Sequence, residues 1–504
     1  MAYSFSTVVA LLTLVFAVKR VINSISIAIF KRRNGCQQEC RVSQLDPILG
    51  LDVFRIQLAA FKNKGVLSLA KARYDTYGLT WSINLLGNRF YNTIETENIK
   101  SILATNFKDF GIGGRQKAFN PLLGSGIFTT DGAQWEHSRS LIRPSFTRSQ
   151  VADLDTFEAH IKQLLAKIPR DGTTFDLQPL LFKLTLDSAT EFLFGESVNS
   201  LSSAVGSEQE RVGKAFDFAQ SKLALRIRMG NLSFLQGGRE FTKACKEVHE
   251  FFDEIVRKQL EKTEPKDAEK SIDSPGKKGK YRFLDELIKS TRDPKQLRDE
   301  LLNILLAGRD TTASLLSNTI HALVRNPKVW RNLRAEINGL DGAKPDYETL
   351  RNLKYLKYVL NESLRLFPVV PVNVRFALKD TILPVGGGTD GQSPLYIPRG
   401  GTIAYSVYSL HRRTDIYGAD AETFRPERWA PEEGLRPGWA YIPFNGGPRI
   451  CVGQQFALTE ASYTIVRLVQ EFGDSLEDRD GSDWVEQVAL TAASANGVKV
   501  AVAV

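Results

Sequence analysis

Residues 444–455 read FNGGPRICVGQQ, a stretch that surrounds one cysteine, Cys451, with three glycines and a proline. Glycines without a Cβ let the backbone approach a flat ligand closely, and Pro448 would hold the turn. Apolar residues recur at helical spacing after the cysteine, so we expect a helix that begins close to Cys451. The local sequence therefore presents one thiol on a rigid turn at the start of a helix.

Three roles for Cys451 are open at this point: a buried apolar side chain, a nucleophile or a metal ligand. A thiol at a helix N-terminus faces unpaired N–H groups and the positive end of the helix dipole, which lower its pKa and favour the thiolate. A nucleophile needs a base beside it, and none of the five histidines adjoins Cys451 in the sequence or forms a recognisable partner set.

A second informative segment is the helical pattern over residues 295–325, whose part LLNILLAG (301–308) is apolar nearly all round. A helix of this kind is buried at the centre of a large protein. Within it Ala307, Asp310 and Thr311 fall at positions i, i+3 and i+4 and share one face. Either the acid and hydroxyl satisfy the helix backbone, or they face a cavity in which Ala307 leaves room for a ligand.

The N-terminal eighteen residues, MAYSFSTVVALLTLVFAV, carry no charge and approach the roughly 20 apolar residues that span a bilayer. Cations follow this run at positions 19–20 and 31–33, on either side of VINSISIAIF (21–30). A signal peptide would start with positive charge, and the positive-inside rule keeps the body in the cytosol. We predict a membrane anchor over residues 1–33, and leave open whether 21–30 spans, re-enters or lies at the interface.

The remaining residues, 34–504, are predicted to form one large, mainly α domain with small β-sheets (α+β). Extended segments are expected over 79–94 and 372–408. The polar, Pro- and Gly-marked stretch 264–280 is expected to be an exposed loop between two helical halves.

Composition excludes several classes of protein. Four cysteines in 504 residues, with no C-x-x-C pair, exclude a disulfide framework and favour a reducing compartment. The formal net charge of +9 favours acidic proteins or anionic membranes as partners. No basic-aromatic motif of a nucleic-acid-binding type is present, so we expect no nucleic-acid partner.

Several stretches together resemble the cytochrome P-450 superfamily. FNGGPRICVG matches its Phe-x-x-Gly-x-Arg-x-Cys-x-Gly pattern, whose cysteine is the axial thiolate ligand of haem iron. In the order of that family, WEHSR supplies the Trp-x-x-x-Arg pattern, AGRDTT resembles the oxygen-activating helix, ESLR the Glu-x-x-Arg pair, and FRPERW the segment that completes an ion-paired triad. The resemblance implies the cytochrome P-450 fold, a single haem-binding domain, over most of the chain after the anchor.

The resemblance also implies the cofactor, haem b, with Cys451 as axial ligand and metal-binding residue. Propionates are costly to bury unpaired. The side chains expected to pair with them are Trp135, Arg139, Arg375 and Arg449. The residues expected to pack against the haem are Ala307, Phe444 and Gly453. The family's triad would consist of Glu362, Arg365 and Arg428, which we expect to support the cysteine loop rather than to act in catalysis.

An axial thiolate favours cleavage of the O–O bond of dioxygen. The expected catalytic residues are Thr311, which would steady the activated oxygen, and Asp310, which would gate protons through water. Electrons would come from NADPH through a separate NADPH–cytochrome P-450 reductase, with cytochrome b5 as a second candidate donor. The resemblance places the protein at the endoplasmic reticulum membrane, with its catalytic domain in the cytosol.

Within the superfamily the sequence is most similar to the fungal alkane and fatty-acid hydroxylases. The segments that carry this likeness are GPRICVGQQFALTEASY, NILLAGRDTTA and GGGTDGQSPLYIPRG. The implied reaction is terminal or near-terminal hydroxylation of a long-chain, lipophilic substrate with O2. Two alternatives are kept: a haem-thiolate isomerase or dehydratase that uses a peroxide substrate, and a non-catalytic membrane-anchored haem sensor or electron carrier.

Overall fold

The computed structural model describes residues 5–147, 153–203, 206–263, 281–473 and 475–503. The helices in chain order are α1 Phe5–Arg33, α2 Leu51–Lys62, α3 Val66–Tyr77, α4 Thr96–Lys100, α5 Arg115–Leu123, α6 Gly132–Ile142, α7 Leu154–Lys167, α8 Gln178–Phe194, α9 Glu208–Met229, α10 Arg239–Lys262, α11 Phe283–Ser290, α12 Pro294–Val324, α13 Pro327–Asn338, α14 Tyr347–Asn352, α15 Lys354–Leu366, α16 Val407–Leu410, α17 Thr414–Tyr417 and α18 Gln454–Phe472. The predicted loop 264–280 lies outside the described residues.

The strands are short. They are β1 Cys40–Arg41, β2 Thr80–Leu85, β3 Asn88–Thr93, β4 Phe110–Gly111, β5 Phe175–Asp176, β6 Val372–Ala377, β7 Thr381–Gly387, β8 Ser393–Ile397, β9 Thr402–Ser406, β10 Leu476–Asp478, β11 Glu486–Val488, β12 Ala492–Ser494 and β13 Lys499–Val502. The prediction of a mainly helical chain with small sheets is confirmed.

The N-terminal helix α1 is continuous, so the apolar stretch 21–30 extends the first apolar run without a break. Its part Val9–Arg33 has a mean hydropathy of 1.7 and is long and apolar enough to cross a membrane by length and composition. The first turn has no acidic side chain, and the last turn carries Lys31, Arg32 and Arg33. These features are those of a membrane anchor.

The chain divides into two compact units, and the first comprises Met1–Ile56, Ala70–Gly111 and Val374–Ser406. It contains a six-stranded sheet in the order β1-β2-β3-β9-β6-β4 and a two-stranded sheet formed by β7 and β8. Strands β2 and β3 form an antiparallel hairpin, and β3 pairs with β9 in parallel. Both extended segments expected from the sequence are therefore confirmed.

The second unit comprises Gln57–Leu69, Ile112–Asn373 and Val407–Val504, and it is built around α12. Helix α12 begins at Pro294, and the side chain of Asp293 caps it by accepting from the Lys295 N–H at 3.0 Å. Its C-terminal half packs in an apolar cluster with α18, and its N-terminal half packs in a second cluster with α8, α10 and α11. The predicted central helix is confirmed. The small sheets of this unit are β10-β13-β5 and β11-β12.

Candidate functional site

The cysteine loop consists of the residues between Phe444 and Gly453, and its backbone is closed on itself. The Cys451 N–H donates to the Phe444 carbonyl oxygen at 3.0 Å. Between them Gly447 adopts a φ of 65°, a conformation that only glycine adopts without strain. Gly453 precedes the first residue of α18, so the predicted helix start close to Cys451 is confirmed. The loop thus fixes the Cys451 backbone just before a helix N-terminus.

A cavity of about 900 Å³ lies beside this loop. Its lining includes Trp135 and Arg139 of α6, Phe146 after that helix, and Ile450 and Cys451 of the loop. Three of the residues predicted from the sequence to bind haem therefore come together on one cavity. Two contacts join α6 and the residues after it to the cysteine loop on this wall. Arg139 Nη1 donates to the Ile450 carbonyl oxygen at 3.0 Å, and a Cβ at Gly453 would lie 3.4 Å from the Phe146 ring.

The residues around this cavity fit a haem group. The volume lies in the range of small-molecule sites, which is about 300–1,000 Å³. The thiol supplies a soft ligand for iron, and the cations and indole supply partners for carboxylates. A Cβ at Gly453 would be in ordinary van der Waals contact with the Phe146 ring, so these two residues lie side by side on the wall.

The pKa of the Cys451 thiol differs from the sequence-based expectation. Cys451 is exposed on the cavity, yet desolvation of its sulfur raises this pKa, and the opposing effects of the Gly453 N–H and of Arg139 do not reverse the direction. The N–H at the helix start therefore lowers the pKa as expected, but desolvation has the larger effect. Bonding to a metal ion deprotonates a coordinating thiol outright, so a thiolate here depends on the metal and not on the helix.

Arg449 is held beside Trp135 by a network within the second unit. Its Nη2 donates to Asp131 Oδ1 at 2.6 Å and to the Thr130 carbonyl oxygen at 2.9 Å. Its guanidinium group lies 4.4 Å from the centre of the Trp135 ring, within cation–π distance. The sequence pattern identified Arg449 and Trp135 but gave no sign of Asp131. Pairing of Arg449 with a propionate stays a prediction.

One face of α12 is less covered than the rest. Between Leu301 and Leu323 every residue of this helix is buried except Ala307, Gly308 and Thr311, which are half-buried. These three positions share a face of the helix. The Thr311 hydroxyl donates to the Ala307 carbonyl oxygen at 2.5 Å, so it satisfies the helix backbone while it remains accessible on that face.

Asp310 is buried and lies against α9. Gln220 donates a hydrogen bond from Nε2 to Asp310 Oδ2, and Arg309 Nε lies 3.7 Å from Oδ1. Burial raises the pKa of Asp310, with Arg309 and Gln220 acting in the opposite direction. Arg309 in turn forms an ion pair with Asp217 of α9. Asp310 therefore has a carboxyl group able to hold a proton, tied to a helix that the sequence pattern did not connect to it.

Arg375 and Phe444 complete the predicted set. Arg375 lies in the first unit, where it is buried, donates to the Val374 carbonyl oxygen at 2.9 Å and lies 5.9 Å from the Tyr405 ring centre. Phe444 is partly buried and packs against the apolar cluster that contains α18. Contacts of either residue with haem stay predictions.

The predicted ion-paired triad is confirmed. Glu362 and Arg365 are completely buried on α15 and pair twice, at 2.8 and 2.9 Å. Arg428 Nε donates to Glu362 Oε1 at 2.9 Å, and Trp429 Nε1 donates to Oε2 at 3.0 Å. The adjoining Tyr441 hydroxyl donates to the Asn361 carbonyl oxygen at 3.0 Å. The triad thus joins α15 to the segment that leads into the cysteine loop.

Glu460, on α18, is a buried acid that the sequence patterns did not single out. Burial raises its pKa from 4.5 to about 8, partly opposed by a hydrogen bond from Ser188. Between these two pH values the folded state keeps a proton that the unfolded state has released, so stability falls as pH rises. We expect the free energy of unfolding of wild type to fall by about 5 kcal/mol across this window, and that of Glu460→Gln to lack this decrease.

Denaturant unfolding of the holoenzyme at several pH values measures this difference. Glu471→Gln, at a partly exposed position near the end of the same helix, is the control and should keep the wild-type slope. Equal slopes for wild type and Glu460→Gln would contradict the assignment.

The chain was compared with known proteins. The family model for cytochrome P450 matches residues 53–496. The chain is 46% identical over 469 residues to cytochrome P450 monooxygenase himC of Aspergillus japonicus, covering 92% of this chain and 83% of the relative. It is 42% identical over 500 residues to cytochrome P450 monooxygenase FPY7 of Fusarium mangiferae, covering 98% and 95%. It is 45% identical over 504 residues to cytochrome P450 52A13 of Debaryomyces hansenii, covering 95% and 94%.

Two of these relatives carry the word monooxygenase in their names, which favours an oxygen-inserting enzyme over the isomerase and the non-catalytic carrier. The family uses haem with a cysteine thiolate as axial ligand, and its members take O2, a lipophilic substrate and electrons from a redox partner. A match over most of the chain, together with the thiol, cavity and triad described above, leaves one conclusion: the chain belongs to the cytochrome P450 family and is a haem-thiolate monooxygenase.

Proposed function

We propose that this enzyme hydroxylates the terminal or a near-terminal carbon of long-chain alkanes or fatty acids, with Cys451 as the axial ligand of its haem. The observation that carries the assignment of the ligand is the position of the Cys451 thiol on a cavity that it shares with Trp135 and Arg139. The substrate class rests on the resemblance to fungal alkane and fatty-acid hydroxylases and on the anchor helix α1. Apolar chains partition into the bilayer in which such a helix lies.

The side chains of this protein bind and orient the haem. When bound, the haem supplies oxidation of a C–H bond by O2, while the protein supplies positioning, ligand tuning and exclusion of water. Trp135, Arg139, Arg375 and Arg449 are the side chains that would hold the propionates. Cation and carboxylate then neutralise each other, which avoids the cost of a buried unpaired charge.

Asp310 and Thr311 handle the protons that the reaction consumes. Burial raises the pKa of Asp310 and so favours its protonated form, and Thr311 presents a hydroxyl on the less covered face of α12. When haem and oxygen are bound, Asp310 would pass a proton through water to the Thr311 hydroxyl, which would donate it on that face of α12. Ala307 has only a methyl side chain, which would leave room beside that face of the helix for oxygen and the end of an apolar chain.

The electron donor is a membrane-bound NADPH–cytochrome P450 reductase, with cytochrome b5 as a second donor. No dinucleotide-binding fingerprint in the required strand–helix context occurs in the sequence, so reducing equivalents come from outside the chain. The net charge of +9 is suited to an acidic partner. Helix α1 anchors the enzyme in the endoplasmic reticulum membrane with its catalytic part in the cytosol.

Reconstitution with the reductase, NADPH and vesicles containing an alkane or a fatty acid tests this function. We expect wild type to form terminal alcohols, identified by mass spectrometry. In Thr311→Ala the product formed per NADPH should fall roughly 100-fold, while NADPH consumption continues, because a general acid typically contributes a factor of about 10²–10⁴. Reduced oxygen released as hydrogen peroxide or water accounts for the remaining electrons.

Two variants make this experiment specific. Thr311→Ser keeps the hydroxyl and should retain most of the coupling. Thr319→Ala, on the same helix, removes a buried hydroxyl that bonds the Leu315 carbonyl oxygen at 2.7 Å, and should leave coupling unchanged. Normal coupling in Thr311→Ala would exclude the proton-delivery role. Absence of product from every lipid tested, with the carbon-monoxide spectrum intact, would exclude only the substrate class.

A further inference from the structure

His411 is a completely buried histidine that follows α16 and bonds two different backbone segments. Its Nδ1 lies 3.2 Å from the Arg365 carbonyl oxygen at the end of α15, and its Nε2 lies 3.0 Å from the Ile442 nitrogen. Its ring stacks on Tyr441, with 5.1 Å between ring centres and 31° between planes. One side chain therefore spans the triad helix and the segment just before the cysteine loop.

These two contacts define the protonation state of His411. A carbonyl oxygen only accepts, so Nδ1 carries the proton; a backbone N–H only donates, so Nε2 carries none. This is the neutral imidazole, and burial together with the cation of Arg365 lowers the pKa of His411 to about 3. The ring is therefore a fixed donor–acceptor pair at every pH at which the enzyme works.

A short series of backbone hydrogen bonds connects this ring to the Cys451 backbone N–H. The Ile442 N–H donates to His411 Nε2, and the Ile442 carbonyl oxygen accepts from the Asn445 N–H at 3.0 Å. Phe444 shares a peptide bond with Asn445, and the Phe444 carbonyl oxygen accepts from the Cys451 N–H at 3.0 Å. Among the described residues, the acceptor for the Ile442 N–H is Nε2 of the buried His411 ring.

We propose that His411 is a positioning residue for the thiolate: by holding the Ile442 N–H it fixes the entry of the cysteine loop, and so sets the position of Cys451 on the cavity. The proposal rests on the proposed role of Cys451 as axial ligand. The contact between His411 and Arg365 is held by a second hydrogen bond, because Arg365 Nη1 also donates to the His411 carbonyl oxygen at 2.9 Å. Groups that hydrogen-bond a metal ligand directly typically change metal affinity 10- to 100-fold when removed, and His411 acts on Cys451 through the backbone of the loop.

A pair of amide variants separates positioning from packing. In His411→Gln the amide oxygen reaches the place of Nε2 and can accept from Ile442, but the bond to Arg365 is lost. In His411→Asn the amide N–H reaches the place of Nδ1 and can donate to Arg365, but the Ile442 N–H is left without its acceptor. Both variants lose the ring and one hydrogen bond, so both should lose comparable stability.

Two properties of the full-length holoenzyme are then measured. They are the fraction of the reduced, carbon-monoxide-bound protein that shows the thiolate band, and the rate of haem transfer to an excess of apomyoglobin. We expect His411→Asn to show a smaller thiolate fraction and haem loss roughly 10- to 100-fold faster than wild type. His411→Gln should remain close to wild type in both.

Controls cover the remaining outcomes. His321→Gln changes another buried histidine, on α12, and should lower stability without altering either property. If His411→Asn yields no holoenzyme, comparison of His411→Gln with His411→Phe decides, because phenylalanine removes both bonds. Equal effects of Gln and Asn, or of Gln and Phe, would overturn the proposal. Persistence of the thiolate band in Cys451→Ser would instead overturn the ligand assignment and leave the hydrogen-bond geometry standing.

Discussion

Replacing Cys451 with serine is expected to abolish the thiolate band in the carbon-monoxide difference spectrum of the reduced protein, and hydroxylation with it. Serine keeps the volume and backbone of the cysteine loop but presents an alcohol, whose oxygen is a harder and far less acidic ligand than a thiol. The electron donation that favours O–O cleavage comes from a thiolate, so the loss should be complete rather than partial. The spectrum of folded, haem-loaded protein measures it.

Cys40→Ser is the matched control, because Cys40 is exposed and lies in the first unit. It should keep both the spectrum and the activity of wild type. A haem-loaded Cys451→Ser protein with an unchanged thiolate band would contradict the assignment of the ligand. The raised pKa of Cys451 adds a second check: without iron the sulfur should be mostly a thiol at neutral pH, and loading with haem should release a proton.

Removing the carboxylate of Glu362 is expected to have the largest effect on stability. Glu362→Gln leaves the completely buried Arg365 without its carboxylate partner, while Arg428 keeps only Asp420, 3.2 Å away. Breaking a buried ion pair from one side costs about 3–5 kcal/mol, since the remaining charge is desolvated and uncompensated. The free energy of unfolding of the holoenzyme should fall by about this amount, and haem should be released at a lower temperature.

An exposed ion pair nearby gives the comparison. Glu433 lies 2.9 Å from Arg425 and both side chains are partly exposed. Glu433→Gln should therefore cost about 0–1 kcal/mol. Similar losses in the two variants would show that the triad is not the element that stabilises this region.

The fold could be predicted where local sequence carries a strong signal. The apolar run of α12, the extended segment that holds β2 and β3, and the helix after Cys451 all follow from periodicity and from turn residues. The triad was predicted from short patterns, and its contacts are those expected. What periodicity specifies is which face of an element is buried, and it says nothing about which element covers that face.

The contacts missed at the site are therefore the ones made across long stretches of chain. Gln220 and Asp310 are 90 positions apart, and His411 and Ile442 are 31 apart. Each pair joins a side chain to a partner that no spacing rule connects. The direction of the Cys451 pKa shift was missed for a related reason. A helix terminus is a local feature, whereas desolvation depends on everything packed around the sulfur.

The continuous helix α1 restricts the enzyme to a surface, and this changes the quantity to which it responds. An anchored enzyme and a lipophilic substrate share the bilayer, so the rate depends on the mole fraction of substrate among the lipids. Diluting the suspension with buffer leaves that mole fraction unaltered, whereas adding empty, fusible vesicles lowers it. Growth of the membrane itself would then slow turnover of a fixed amount of substrate, without any ligand binding to the protein.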